Sequence, residues 1–598
     1  MDLASIVKCA IHPAIGIARV GNSPAEYFLG PEVPGVTPDP GLAFKDAKGM
    51  IKRQAAKFRI YGLDGDGKVI KELTADDADI SWTVHLANKK GSWYCFTFPM
   101  DIPEAKPVSR RNPAYCGDRK NLTVDPGPRS VCGRNAKAVF DSGSFLGVDL
   151  PLGEIQTDSS GNLLVLGGFG MSSSISNQPI TGFDNVEWFD DTSDGPVSAQ
   201  VTIGGKSIEV EAAWVIVAPP NYAPGIPCIV TLYDLVYEVA LQKGLPAPDQ
   251  VSFTERIYPL LERFCLLEWV NEGFFLDYGW GSPNNFRDEK ILEKLSSNSP
   301  DSYTLRDSLF KLFRIPGSTE VDPYTLPPIY GDAINYPPIE SPRKYLTVTA
   351  LQYDWLREWA RGNFKADWDP KKGPGPQKLE DLPLCERPRA LDQAALESCE
   401  GGPFHPGSEA SWPMRNLILY SAPFRIKHRP VDEHEKDYGD QLTPEAALAP
   451  DGPLSSSGPG DITRWMSIPW QVDVVGCGTG YEPRRNPYLP TFWPARAPNH
   501  VLTEDSFEQV LNENLSLIQR LKYFGIREDW LRDIVLFQQY DDRVNKFLED
   551  WYKVGIIVQR EVPSGNDFLP SEVHIEVQNE LEEKPDDRHE MIDPRIHR

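Results

Sequence analysis

The stretch Trp214-Val215-Ile216-Val217, followed by Pro219-Pro220, is typical of a buried β-strand that stops where proline interrupts the backbone hydrogen bonding. An earlier run, Leu163-Leu164-Val165-Leu166, has the same apolar character and leads into a glycine turn. Phe58-Arg59-Ile60-Tyr61 and Ile208-Glu209-Val210-Glu211 alternate apolar and polar residues between turn signals. The first part of the chain is therefore predicted to be rich in β-strands.

Helical spacing appears only after this proline break. Leu232, Leu235, Val236 and Val239 recur at the period of a helix that Gly244 ends. Helices are also predicted at 353–361, from Thr503 onward with one apolar face through Leu521, and at 529–552, whereas 401–499 looks irregular. We predict an α+β fold with a β-rich N-terminal domain at 1–225 and a mixed, loop-rich and helical C-terminal domain at 226–598.

The composition excludes several classes of protein. The 598 residues carry a formal net charge of −25, which argues against nucleic-acid binding because phosphates require clustered Lys and Arg. No apolar run approaches the roughly 20 residues that span a bilayer, and residues 1–10 lack the pattern of a secretory signal. We expect a soluble protein, cytoplasmic by default, without a membrane or nucleic-acid partner.

The cysteines do not form a recognisable framework. There are nine of them, an odd number without a CxxC pair, so neither a disulfide scaffold nor a zinc site is indicated. An acidic stretch at 183–195 lacks the spacing and terminal Glu of an EF-hand. It is better explained as a turn whose Asp side chains bond their own backbone, and no metal is predicted.

The most unusual segment is 461–499, where Trp465, Trp470 and Trp493 surround a single cysteine, Cys477. Asp473 lies four residues before Cys477 and could accept a proton. A cysteine nucleophile usually requires a nearby His, and the next one is His500. Taken alone, these residues leave two interpretations: buried structural side chains, which their spacing favours, or a cysteine-nucleophile enzyme.

Five separated blocks resemble, in the same order, the lysine ε-oxidase and glycine oxidase family, whose members carry a cysteine tryptophylquinone made from their own side chains. The blocks extend from the N-terminal region to the segment around Cys477. They are Ile11-His12-Pro13-Ala14-Ile15-Gly16-Ile17-Ala18-Arg19-Val20-Gly21-Asn22-Ser23, Asp190-Asp191-Thr192-Ser193-Asp194-Gly195-Pro196-Val197, Val217-Ala218-Pro219-Pro220-Asn221-Tyr222-Ala223-Pro224-Gly225, Gly401-Gly402-Pro403-Phe404-His405-Pro406-Gly407, and 461–499.

The resemblance assigns a role to four residues. Cys477 would donate the thioether of the cofactor, and Trp493 would be the tryptophan oxygenated to the ortho-quinone. Asp473 matches the carboxylate tied to cofactor formation and would also suit proton transfer during turnover. His405 lies in a block that is close to the substrate in this family, which implies a role in substrate binding.

The implied activity is the oxidative deamination of a primary amine by O2, giving an aldehyde or oxo acid, ammonia and hydrogen peroxide. A separate flavoprotein would install the quinone oxygens, and a homo-oligomer is a further expectation because family members are often multimeric. The sequence leaves open whether a side-chain amine or an α-amine reacts. The alternative is a binding or structural protein of the same fold in which Cys477 and Trp493 are unmodified.

Overall fold

A computed structural model describes residues 3–39, 41–96, 99–180, 182–318, 325–328, 346–371, 375–402, 410–479, 495–535 and 540–581. The N-terminal part is dominated by one large sheet, and the C-terminal part is helical with long loops. The α+β prediction is therefore confirmed. The division into domains at residue 225 stays a prediction, because one apolar core contains residues of the sheet together with Trp470 and Val472.

The strands of the N-terminal part are mostly short, apart from two of eleven residues that run through the centre of the sheet. In chain order they are β1 (Lys8–His12), β2 (Ile15–Arg19), β3 (Tyr27–Leu29), β4 (Arg53–Leu63), β5 (Val69–Leu73), β6 (Asp79–Val84), β7 (Val108–Ser109), β8 (Arg129–Cys132), β9 (Lys137–Val139), β10 (Ser144–Phe145), β11 (Val148–Asp149), β12 (Glu154–Thr157), β13 (Leu163–Leu166), β14 (Ser172–Ser174), β15 (Trp188–Asp190), β16 (Ser193–Ile203), β17 (Lys206–Glu211) and β18 (Ala213–Ala218).

Thirteen of these strands form a single mixed sheet in the order β1-β17-β16-β18-β2-β4-β13-β12-β9, with β3 and β5 on β4, β6 on β16, and β8 on β6. The pairs β2 with β18 and β1 with β17 are parallel, and β16 is antiparallel to β6, β17 and β18. All six residues of β18 are buried, as expected for a central strand with both faces covered. The strand ends at Ala218, directly before the two prolines.

The C-terminal part contributes fourteen helices and nine short strands among the described residues. The helices are α1 (Leu232–Gln242), α2 (Tyr258–Leu266), α3 (Glu272–Tyr278), α4 (Glu289–Leu295), α5 (Tyr303–Phe310), α6 (Ala350–Arg361), α7 (Arg387–Glu397), α8 (Ser411–Met414), α9 (Pro444–Ala447), α10 (Gln471–Thr479), α11 (Glu504–Leu511), α12 (Leu517–Phe524), α13 (Arg532–Val535) and α14 (Tyr540–Asp550). The strands are β19 (Val251–Ser252), β20 (Phe364–Lys365), β21 (Tyr420–Ala422), β22 (Arg425–Ile426), β23 (Gln441–Leu442), β24 (His500–Val501), β25 (Glu528–Asp529), β26 (Ile556–Glu561) and β27 (Glu572–Val577).

Two expectations about helices are wrong. The segment 401–499 is not uniformly irregular, because it contains α10. The apolar face predicted to continue from Thr503 to Leu521 is divided between α11 and α12, since Ser516 forms a capping box with Gln519 that starts a new helix. Ile518 in α12 is 80% exposed, so helical periodicity there does not mark a buried face.

The acidic stretch joins the sheet to the segment that precedes α10. Asp190 lies 2.7 Å from Nζ of Lys90, both side chains are fully buried, and Asp190 also accepts the backbone N–H of Trp470 at 3.0 Å. Asp194 accepts the N–H of Thr463 at 2.7 Å, its hydroxyl at 2.6 Å and the indole N–H of Trp214 at 3.0 Å. These bonds are long-range, so the predicted self-contained turn is only part of the role of this stretch.

We predict that Asp190→Ala lowers the free energy of unfolding by about 3–5 kcal/mol, because Lys90 would remain buried without its partner. Chemical denaturation followed by tryptophan fluorescence would measure this loss. The matched control is Asp451→Ala, which removes a carboxylate from an ion pair with Lys436 whose side chains are 74% and 62% exposed. An equal loss in the two variants would contradict the prediction.

Candidate active site

The first five residues of α10, 471–475, are buried, and the helix is held at its beginning. Ser172 donates its hydroxyl to Gln471 at 2.8 Å, and the ring of Trp470 packs edge-on against Trp551 with centroids 5.3 Å apart. Asp473 in the first turn of the helix has no exposed surface. The backbone of Cys477 lies one helical turn later, within the same helix. Trp493 and His405, the other two predicted site residues, lie outside the described residues.

The buried carboxylates of Asp473 and Glu400 both contact the guanidinium group of Arg496. Nη2 of Arg496 lies 3.4 Å from Oδ2 of Asp473, and Nε of Arg496 lies 3.7 Å from Oε2 of Glu400. The backbone N–H of Arg496 also donates to Oε1 of Glu400 at 3.1 Å. All three side chains are at most 3% exposed. Their charges therefore compensate one another in a region with little access to water.

The loop after β18 completes this arrangement. Nη1 of Arg496 is 3.4 Å from the carbonyl oxygen of Pro220, and Tyr222 donates its backbone N–H to the carbonyl of Arg496 at 3.1 Å. Arg19 at the end of β2 donates to the carbonyl of Pro219 at 2.9 Å. These contacts hold Arg496 against the loop that follows β18. The loop leaves the sheet because its prolines cannot continue the strand.

A cavity of about 450 Å³ reaches this charged group. Its wall comprises the loop at 28–39, the residues after β18, parts of α2 and α7, and Ala495 and Arg496. Six carboxylates and three cationic side chains line it. They are Glu32, Asp39, Glu262, Glu380, Glu397 and Glu400, and Arg263, Lys378 and Arg496. This excess of acidic groups favours a positively charged ligand such as an ammonium ion.

Two thiols also lie in the cavity wall, those of Cys228 and Cys399. Cys228 donates to the carbonyl of Val230 at 2.6 Å, and burial together with the charge of Glu400 raises the pKa of its thiol. Cys399 lies 3.5 Å from Nη2 of Arg19. A cysteine nucleophile requires a thiolate near neutral pH, which the environment of Cys228 opposes.

Sequence reasoning predicted a role for Asp473, which stays a prediction, and did not single out Glu400 or Arg496. Arg496 is part of the quoted segment at 461–499, and Glu400 directly precedes the block that begins at Gly401. Their positions in or directly beside these blocks were the signal in the sequence that could have pointed to them. Their pairing is a tertiary contact between parts of the chain 96 residues apart, and local patterns do not show it.

Comparison with known proteins shows the family to which the chain belongs. The family model described as the L-lysine ε-oxidase N-terminal region matches residues 12–217, and the model of the L-lysine ε-oxidase C-terminal domain matches residues 330–493. The chain is also 29% identical to an L-lysine 6-oxidase from Marinomonas mediterranea over 549 residues, covering 78% of this chain and 71% of that protein. This chain belongs to the L-lysine ε-oxidase family.

Solved structures of the same relative share the fold. The crystal structure of L-Lys ε-oxidase from Marinomonas mediterranea and that of its Schiff base intermediate with L-Lys each give a TM-score of 0.68 at 24% identity, covering 96% of this chain and 95% of theirs. Family membership supports an amino-acid oxidase that acts on a small molecule with O2. Among the described residues, none of the helices combines the length and apolar character needed to cross a membrane.

We predict that Arg496→Met destabilises the fold by about 3–5 kcal/mol, because Asp473 and Glu400 lose a buried cationic partner. Arg496→Lys should cost less, since it keeps the charge but lacks the forked donors. Chemical unfolding of the two variants would give these values. Arg134→Met is the control, because Arg134 and its partner Asp76 are 43% and 77% exposed, and a comparable loss there would refute the argument.

Proposed function

We propose that this chain oxidatively deaminates a primary amine of an amino acid, with a cysteine tryptophylquinone formed from Cys477 and Trp493 and with O2 as the electron acceptor. The products would be an aldehyde or oxo acid, ammonia and hydrogen peroxide. The observation that carries the proposal is the contact between Asp473 and Arg496 beside the cavity. Because the relative is an L-lysine 6-oxidase, L-lysine is the first substrate to test.

The described residues around both cofactor positions fit this proposal. Asp473 precedes Cys477 by four residues, and Arg496 follows Trp493 by three. The 3.4 Å contact between Asp473 and Arg496 therefore joins the two chain segments that carry the cofactor-forming side chains. Arg496 also lines the cavity, so an amine that enters the cavity comes close to both segments.

A quinone on these side chains would supply the electrophilic carbonyl and the two-electron sink that ordinary side chains lack. The residues of this chain would manage protons and charge. A primary amine arrives as an ammonium ion and must lose a proton before it is nucleophilic. The carboxylate of Asp473 can accept that proton, and Arg496 holds the carboxylate in position.

Asp473 also suits cofactor formation, because a buried carboxylate one helical turn from Cys477 can receive protons released there.

His405 stays a proposed substrate-binding residue, and a separate flavoprotein stays the proposed maturation partner. The burial of Asp473, Glu400 and Arg496 limits access of bulk water, which strengthens electrostatic interactions within the site. Two further parts of the proposal are the domain boundary at residue 225 and a homo-oligomeric state.

We predict that protein from its native host contains a proteolytic fragment in which the peptides of Cys477 and Trp493 are linked. The fragment should have lost four hydrogens and gained two oxygens, because the thioether removes two hydrogens and the quinone replaces two more with oxygen. Mass spectrometry of the digest measures this change. A free thiol and an unmodified tryptophan would contradict the oxidase proposal and leave the alternative of a binding protein.

We predict that Asp473→Asn abolishes the cross-link or lowers the rate of peroxide formation at least about 100-fold, the scale of a lost general base. The isosteric amide keeps the shape of the side chain but cannot take a proton. Peroxide release and fragment mass would be measured together. Asp149→Asn, at an exposed position in β11, is the control, and normal cofactor content with normal turnover in Asp473→Asn would overturn the assigned role.

A further inference from the structure

Glu397 is a carboxyl group in the cavity wall whose hydrogen-bond donors among the described residues are neutral. It is the last residue of α7 and lines the cavity, where Gln393 donates to its Oε1 at 2.7 Å and the backbone N–H of Gly35 is a second donor. Within the described part of the chain, no Lys, Arg or His nitrogen lies within 4 Å of it. Glu32 in the same wall, by contrast, is bonded by Arg59 at 2.9 Å.

The surroundings of Glu397 disfavour its charge. Burial raises the pKa of this side chain, and the carbonyl end of α7 adds a partial negative charge. A carboxyl group kept at such a place reduces stability when it is ionised. A cation that entered the cavity would remove this cost, so the position is suited to an incoming ammonium group.

Arg263 in α2 lines the same cavity, and part of its guanidinium group makes no hydrogen bond to the described residues. Both of its hydrogen bonds use Nη1, which donates to Oδ2 of Asp234 at 2.6 Å and to the carbonyl of Ile229 at 3.0 Å. Nε and Nη2 have no hydrogen-bond partner in the described residues. A guanidinium edge of this kind suits a carboxylate. Arg263 and Glu397 both line the cavity and act on each other electrostatically, but the two side chains do not form an ion pair.

The thiol of Cys228 is close enough to both Arg263 and Glu400 to be affected by their charges. Cys228 lines the cavity together with these two residues. Glu400 in turn is bonded by Arg496, which contacts Asp473. The cavity wall therefore presents two polar regions, one at Glu397 and Arg263 and the other at Glu400 and Arg496, and Asp473 lies behind the second region in contact with Arg496.

We propose that Glu397 and Arg263 bind the zwitterionic head group of an α-amino acid, with the α-ammonium on Glu397 and the α-carboxylate on Arg263. The side-chain amine of a dibasic amino acid then extends past Cys228 toward Asp473 and is the amine that reacts. This inference rests on the proposed function, because it assigns the orientation of the substrate in the same cavity. Glu397 and Arg263 are thereby specificity-determining residues.

Three ligands test the contacts of Glu397 and Arg263 separately. L-lysine carries both groups of the head, cadaverine lacks the α-carboxylate, and ε-aminocaproate lacks the α-ammonium. Isothermal titration calorimetry on the full chain produced without its maturation partner measures binding without turnover. We expect L-lysine to bind about 10-fold or more tightly than either analogue, which is the scale of one lost charge-assisted hydrogen bond.

Glu397→Gln should weaken L-lysine about 10-fold or more and leave ε-aminocaproate unchanged, because the latter has no α-ammonium to lose. Arg263→Gln should weaken L-lysine and leave cadaverine unchanged. Glu293→Gln is the matched control, since that side chain is exposed in α4 and does not line the cavity. Thermal unfolding should show that Glu397→Gln is no less stable than the wild-type protein, because burial raises the pKa of the carboxyl that it replaces.

The outcomes distinguish this inference from the proposed function. If the chain carries no quinone and forms no peroxide but shows the expected binding pattern, the oxidase proposal fails and the head-group site stands. If peroxide forms from L-lysine while Glu397→Gln and the wild type have the same kcat/KM, the oxidase proposal stands and the head-group site is wrong. Tighter binding of cadaverine than of L-lysine, or an oxo acid product from L-lysine, would also overturn it.

Discussion

The buried carboxylates of Asp190 and Asp194 connect the sheet to the segment that leads into α10. Asp190 binds the ammonium of Lys90 and the backbone of Trp470, whereas Asp194 binds the backbone and hydroxyl of Thr463. These bonds cannot be exchanged for bonds to water without exposing the core, so the beginning of α10 has one position relative to β16 and β18. The location of Asp473, and with it the charged end of the cavity, follows from that constraint.

Burying charges rarely gains stability over well-packed apolar side chains, although breaking an established pair is costly. Two groups of buried charges in this protein therefore need different explanations. The pair of Lys90 and Asp190 has no contact with the cavity and fixes the arrangement of the segments. Arg496 and Glu400 line the cavity, and Arg496 connects Asp473 to it. A role in binding or proton transfer explains this group of charges better.

Local patterns predicted the parts of the fold that local forces determine. The strand β18 follows from its apolar run and the prolines after it, and α1 follows from apolar spacing and the capping residue Thr231. The helix α10 was missed because Pro469, Gly476 and Gly478 lower intrinsic helix propensity, while burial and the bonds at its beginning favour the helix. The blocks around Cys477 identified Asp473 through family resemblance. Its partners Arg496 and Glu400 required the tertiary structure.

The contrast between Glu32 and Glu397 shows why sequence alone could not locate the ligand-binding groups. Both are glutamates of the cavity wall, yet Glu32 forms an ion pair with Arg59, whereas Glu397 forms no ion pair with the described residues, although the charge of Arg263 acts on it. Nothing in their neighbouring residues separates the two cases, because Arg59 comes from β4 and is 27 residues from Glu32. A carboxyl group is available to bind a cationic ligand when no cationic side chain already forms an ion pair with it. That condition belongs to the packing around α7, so it can be established only from the arrangement of side chains in space.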